Sequence, residues 1–433
     1  MARNAPIAFV NARVIDPESG YDGPGCVVVS DGTIADVRQA PGLDSGSADL
    51  RVVDCNGAVL APGLIDCRVK AGEPGAEHKE TLASVSRAAA AGGITSIVLQ
   101  PDTDPPVDQP AMVDFVLRRA RDLETINIHV AGAATRALGG EHMAEIGLMD
   151  EAGAIYFTDG DRPIVNSKVM RRVLEYAGAF NALVAHRPAD PWLSEGAVAT
   201  EGELAARLGL PSAPAVAERI MLERDLALVE LTGARFLVDQ ISTADALDTL
   251  RRAKDKGLEV AASCSINHLT FNEIDVGDYR TFYRLDPPLR PEADRQALIE
   301  AVAEGLIDVV VSAHTPSPAG EKRRPFAEAA PGAVGVETLL PALLNLHHEA
   351  GHALVDLFKP VTLGPAQLLG LPGGRVAPGA PADLVLVDID APLAIDADRL
   401  LSKSKNSPFD GRRLQGEVLL TMVEGRIVHQ AAQ

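Results

Sequence analysis

The stretch APGLIDCRVKAGEPG, residues 61–75, decides how the chain is read. Leu64 and Ile65 carry the apolar signature of a buried strand, the run ends on Asp66, and two cations follow, Arg68 and Lys70, with one residue between them. From Gly63 onward, apolar strands alternate with Ala-, Leu-, Arg- and Glu-rich segments of helical period, which is the texture of βα repeats around a parallel sheet. Eight strand candidates can be counted, at residues 64–69, 96–99, 126–131, 154–157, 182–185, 235–238, 258–262 and 308–312. Eight strands close a barrel. Helical patterns lie between most of them, at 170–177, 216–231 and 244–256, the last followed by Gly257 as a C-cap. The long connection over 267–306 contains Pro287-Pro288 and reads as a structured loop followed by a helix over 293–304.

Outward from this block the texture changes. Residues 1–61 hold short β-type runs at 8–14, 26–30, 34–37 and 52–60, with Asp31-Gly32 as a hairpin turn. After about Pro360 strands return, at 383–387 and at 418–423, the second leading through Glu424-Gly425 into 426–429. Neither group has enough strands for a core of its own, so the two are expected to pair beside the barrel. The expected fold class is α/β: a (β/α)8 TIM barrel over residues 62–365, with a small composite β-sandwich domain from residues 1–61 and 366–433.

A formal net charge of -20 excludes a binder of the phosphate backbone, so nucleic acid is not an expected partner. The four cysteines form no CxxC pair and are too sparse for a disulfide framework; they read as buried small hydrophobes with free thiols. The N-terminal MARNAPIAFV has no charged region followed by a continuous apolar segment, and no run approaches the roughly 18 apolar residues of a membrane helix. A cytoplasmic protein without a membrane partner is the expectation.

PGLID before the two cations and EPG after them form the frame that opens the first barrel strand in the cyclic-amide hydrolases. The chain resembles the dihydroorotases among them from Pro62 to about Thr338, and again over KSKNSPFDGR at 403–412. The resemblance implies a zinc-binding His-x-His pair at Arg68 and Lys70, and a substrate-gripping arginine at Gly72. It implies a substrate-contacting Asn at Asp102 in QPDTDPPVD, a metal-bridging carboxylate at Asp159 after Phe157-Thr158, and a zinc ligand at His186. A further histidine ligand falls on Gln240 of VDQIST. In SINHLTFNE only His268 is in register with the family's PHHL segment, and Asp286 of LDPPLR stands for an Asn that helps to hold the substrate. In SAHTPS, Ala313 occupies the place of the aspartate that binds zinc and shuttles the proton, and Ser317 that of another histidine.

Of that metal set only Asp159 and His186 remain, and a lone histidine at a strand end reads more readily as a hydrogen-bonded structural residue than as a residual ligand. A guanidinium has no lone pair to give, an ammonium none unless strongly perturbed, and an amide is a poor zinc ligand beside imidazole. The methyl of Ala313 carries no proton. No metal is therefore expected, with zinc entering only under an alternative reading. An ion pair from Asp159 to Lys70 or Arg68 is expected to keep the barrel mouth neutral instead, since a buried charge needs a partner. His348, Glu349 and His352 spell HExxH, a zinc pattern when helical, but Gly351 sits inside it and the segment reads as an exposed helix face.

The resemblance implies a catalytically inactive dihydroorotase homologue. Family members with this kind of loss serve as non-catalytic chains that assemble with the catalytic chain of aspartate carbamoyltransferase in pyrimidine synthesis, in a hetero- or homo-oligomer. Two alternatives stand beside it. One is an active cyclic-amide hydrolase with a reduced metal site around Asp159 and His186, using His314 or His268 as proton carrier. The other is a sensor that holds a small molecule in a remodelled pocket near Asp102, His268, Asp286 and His314.

Overall fold

The structure, a computed structural model, describes residues 6–42 and 50–431; residues 1–5 and 432–433, the outer ends of the expected composite domain, lie outside it. Eight strands form the barrel: β1 (Leu64–Val69), β2 (Ile94–Leu99), β3 (Asn127–Gly132), β4 (Ala154–Phe157), β5 (Val184–His186), β6 (Phe236–Val238), β7 (Val260–Ser265) and β8 (Val309–Val311). Each lies on one of the eight expected runs, and neighbours pair in parallel in chain order. Where β8 returns to β1, Lys70 N–H donates to the His314 carbonyl at 3.0 Å, beside a parallel bridge between Val69 and His314.

The strands are apolar because both of their faces are covered. Inside, Val98, Ala131, Tyr156, Ala185 and Leu237 fill the barrel, with Leu368 and Leu369 packed against them. These two leucines end the helix Leu363–Leu369, which crosses the expected boundary at residue 365 and packs with the barrel. Outside, the helix Leu82–Ala91 lies close to its sheet because its buried face is largely alanine. It starts at a capping box in which Thr81 and Ser84 satisfy each other's backbone N–H groups. The helix Val216–Thr232 has a mixed pattern because it buries two carboxylates, Glu218 and Asp225, among its apolar residues.

The termini form one continuous eight-stranded sheet rather than two separate layers. One edge strand, Thr33–Arg38, curls back onto the segment that leads into the strand Leu384–Ala394: Ile34 N–H donates to the Ala380 carbonyl at 2.9 Å and Gly379 N–H to that of Ile34 at 2.8 Å. The curl encloses a core of its own around Phe9, Val27, Leu60, Leu384 and Met422. Asp31 and Gly32, at φ 50 and 82, make the expected hairpin turn. The run expected over 52–60 is two strands, Arg51–Asp54 and Val59–Pro62, because Asn56 and Gly57 turn the chain with φ 50 and 85.

Candidate functional site

The C-terminal ends of the barrel strands converge on Arg68. β1 slips its register between Asp66 and Val69, an irregularity of the kind that re-aims a side chain, and the Arg68 guanidinium lies buried in the mouth. Gln100 and Asp239 sit two residues beyond the inward-facing Val98 and Leu237, so the strand period turns them to the same interior. Arg68 Nη1 donates to Gln100 Oε1 at 3.2 Å and to Asp239. Its Nη2 donates to Asp161. Gln240, with its amide oxygen turned toward the guanidinium, accepts from Nε and, at 3.0 Å, from Nη2. All five N–H donors of the guanidinium are thereby used.

Lys70 extends the network. Its Nζ pairs with Asp102 at 2.6 Å and with the second oxygen of Asp161. Arg187, next after β5, pairs with Asp286 at 2.7 Å and donates to the Asp161 carbonyl at 2.9 Å. The mouth thus holds three cations and four carboxylates in mutual contact. Burial alone would raise the Asp161 carboxyl, but Lys70, Arg68 and Arg187 hold it well below the usual carboxylate range. Burial would likewise lower Lys70, and Asp102 and Asp161 outweigh it and raise it instead.

The expected ion pair from Asp159 is corrected by the structure. Asp159 is spent on Thr135, accepting from its backbone N–H at 2.8 Å and from its hydroxyl; the carboxylate that binds both cations is Asp161, two residues on. His186 offers no lone pair either. Its Nδ1 bonds Asp225 at 2.7 Å, and its Nε2 accepts the Ile164 N–H at 2.8 Å. Asp102 and Asp286, expected as pocket residues, are ion-pair partners of Lys70 and Arg187. His268 and Ala313 do line the mouth, whereas His314 does not. His314 lies in the barrel wall, its Nδ1 accepting from Gly335 N–H at 3.2 Å and its Nε2 3.7 Å from Glu80. Burial, with Arg290 adding to it, lowers His268 to about 4, so the ring is neutral at physiological pH.

Sequence reading missed Asp161, Asp239, Gln100 and Arg187. The available signal was charge: each substituted cation has a carboxylate at a neighbouring strand end. Gly72 is fixed by its surroundings as well, since at φ 73 a Cβ there would meet the Ala76 carbonyl oxygen at 2.7 Å. The HExxH segment, expected as an exposed helix face, is one only in part: Glu349 is exposed, but Gly351 ends the helix Leu339–Ala350 in the left-handed conformation before His352, and His348 is half-buried with its Nε2 bonding the Ile389 carbonyl at 2.9 Å. All four cysteines are buried and free.

The mouth retains a cavity of about 30 Å³. Sites for small-molecule ligands span roughly 300–1,000 Å³, and one water needs roughly 10–15 Å³. The remaining space has room for water, not for a heterocycle.

A parallel eight-stranded barrel carrying a sheet built from both termini defines the amidohydrolase class of fold. The L-hydantoinase (dihydropyrimidinase) of Arthrobacter aurescens superposes with a TM-score of 0.87 over 99% of this chain and 96% of its own, at 24% identity. The dihydropyrimidinase of Brevibacillus agri NCHU1002 gives 0.84 over 98% and 95%, at 21% identity. Sequence narrows the class. The family described as Dihydro-orotase-like matches residues 57–246, and that described as Amidohydrolase family matches residues 348–429. The dihydroorotase of Anaplasma phagocytophilum (strain HZ) is 41% identical over 430 residues, spanning 98% of this chain and 95% of that protein. The dihydroorotase of Anaeromyxobacter dehalogenans (strain 2CP-1 / ATCC BAA-258) is 41% identical over 420 residues, 96% of each. The chain belongs to the dihydroorotase family.

The residues present do not fit the zinc pair that the resemblance implies. Among the described residues, no group of three or more His, Cys, Asp or Glu side chains is arranged to hold a metal. The first-strand positions carry positive charge instead of lone pairs, and the carboxylates around them are already neutralised. Among the described residues no helix is long and apolar enough to cross a membrane.

Proposed function

We propose that this chain is a catalytically silent member of the dihydroorotase family, acting as the non-catalytic, structural partner of the catalytic chain of aspartate carbamoyltransferase in pyrimidine biosynthesis. One observation carries the first half: a guanidinium with every donor satisfied stands at the strand end where the chemistry needs electron-pair donors. Metal-assisted hydrolysis takes a metal-held water and a proton carrier. Here the carrier's place is the Ala313 methyl, and the cavity of about 30 Å³ admits no cyclic amide. A scaffold role uses the rest of the barrel, which is fully built. The partner follows from the family resemblance.

The test has two arms. Purified protein should contain no stoichiometric zinc and should not interconvert carbamoyl aspartate and dihydroorotate. Coexpressed with the carbamoyltransferase catalytic chain of the same genome, it should elute as a stoichiometric complex. Zinc at one or two equivalents with turnover would overturn the first half, and separate elution the second.

An active cyclic-amide hydrolase is the second reading, favoured by the dihydroorotase names of its relatives. It requires Arg68 and Lys70 to leave their carboxylates and the loop at Pro331–Ala333 to withdraw from the mouth.

A further inference from the structure

A second cavity, of about 780 Å³, lies on the same face of the barrel and shares no lining residue with the mouth. It is an open cleft bounded by the loops after β1, β7 and β8 and by the segment over 397–410. Its walls carry Lys322, Arg323, Arg324, Lys403 and Lys405, against two carboxylates, Asp398 and Asp410. None of the five cations has a carboxylate within ion-pair reach among the described residues, although the chain as a whole carries a formal charge of -20. An acidic protein does not arrive at such a cluster through its average composition.

Lys322 is the second, independent observation. It is only 3% exposed, and its Nζ donates to the carbonyls of Thr281 and Arg284 at 3.2 and 3.3 Å. An ammonium has three N–H donors, so these carbonyls leave one donor over, and the adjacent Glu321, which attracts Lys322, makes its ion pair with Lys79 instead. Lys403 and Lys405 likewise rest on the carbonyls of Glu77 and Leu400. Arg323 and Arg324 are exposed and make no side-chain hydrogen bond among the described residues.

We propose that this cavity is a binding site for a small, multiply charged anion, a phosphorylated or polycarboxylate metabolite, whose charge completes the unpaired cations. The volume falls within the range of ligand sites and exceeds what a single phosphate fills. Burial, reinforced by Arg284 and opposed by Glu321, lowers Lys322 to about 7; the other titratable side chains lining the cavity besides its cations are His78, Asp398 and Asp410. An arriving anion restores its protonation, so binding near neutral pH takes up a proton at Nζ from the buffer.

Isothermal titration with inorganic pyrophosphate and with tricarballylate, each in two buffers of different ionisation enthalpy, tests this on the full chain. The expected result is a Kd below about 1 mM for at least one probe, with a heat that depends on the buffer. The probe that binds tells phosphate from carboxylate chemistry. Exchanging the exposed pair, Arg323→Glu with Arg324→Glu, should weaken binding about tenfold or more, and Lys322→Met should reduce the buffer dependence, with His78→Gln as the control for uptake at the other titratable lining residue. Arg118→Glu with Arg121→Glu, on the exposed face of the helix Pro110–Arg121, should leave binding unchanged. The proposal fails if neither probe binds, if the Arg323/Arg324 variant binds as well as the parent, or if the control pair costs as much.

Discussion

In the barrel mouth Arg68, Lys70 and Arg187 are each held by carboxylates, while in the neighbouring basic cavity five cations lie together and make no ion pair among the described residues. Both places are built from the same kind of loop, at the C-terminal ends of barrel strands, where this fold carries its ligand chemistry. The mouth has spent its charge on itself and retains about 30 Å³; the cavity has kept both its charge and about 780 Å³. Closure of a site by internal ion pairs and readiness to bind from outside are thus two uses of the same residue types. The partner of each cation decides between them.

The sharpest way to break this contrast is to remove the central guanidinium. Arg68→Met strands Asp239, which is itself buried and loses its ion pair. Losing one member of a buried pair costs about 3–5 kcal/mol, read as a lowered urea midpoint. Adding Asp239→Asn to Arg68→Met should recover part of the loss, because the orphaned charge is then gone. If Arg68→Met unfolds at the parental midpoint, the mouth is not held shut by its ion pairs.

The barrel was legible in the sequence because eight apolar runs separated by helical segments report burial on both faces, and burial is what composition encodes. The departures at the mouth were legible too, since Arg68, Lys70, Gln240 and Ala313 differ in chemistry from what the family resemblance implies. What those residues pair with was not. Asp159 and Asp161 are both acidic residues just beyond β4, and only the loop path, which gives Asp159 to Thr135, selects Asp161 for the cations. In the same way the partner of His186 is hidden from local pattern: Asp225, 39 residues on, is brought to its ring by the helix Val216–Thr232. Pairings of this kind depend on which strand ends meet, and local pattern does not carry that. The basic cavity escaped for the same reason, its cations being split between residues 322–324 and 403–405.

The cavity side of the comparison is sharpened by pH. Lys322 has a folded pKa of about 7, lowered from 10.5 by burial and by Arg284. Between those values the unfolded chain holds a proton that the folded one does not, so this group makes stability rise with pH across the window, and its full penalty is felt below about 7. Lys322→Met removes the penalty. Without polyanions present, the variant should be the more stable protein at pH 6, by on the order of a few kcal/mol. That advantage should shrink steadily toward pH 10. A stability difference that does not change between pH 6 and pH 10 would show that Lys322 already has its countercharge, and the two regions would no longer differ.

The smallest expected effect returns to the mouth. Ala313 stands at φ 53, in the left-handed region, which costs an ordinary L-residue roughly 1–2 kcal/mol. Asp and Asn adopt it more readily, through hydrogen bonds from their short side chains to the nearby backbone. The backbone here has therefore kept a shape that suits the aspartate the family resemblance places at this position, although the side chain is a methyl. Ala313→Asn should relieve part of the cost, raising stability by a few tenths to about 1 kcal/mol without adding a charge to the four carboxylates already present. Ala313→Asp should gain less, because its carboxylate enters a mouth whose cations are taken. If both raise the thermal midpoint equally, the mouth retains positive charge to spare. The Arg68 network would then be open to an anion, and the contrast with the basic cavity would be one of degree.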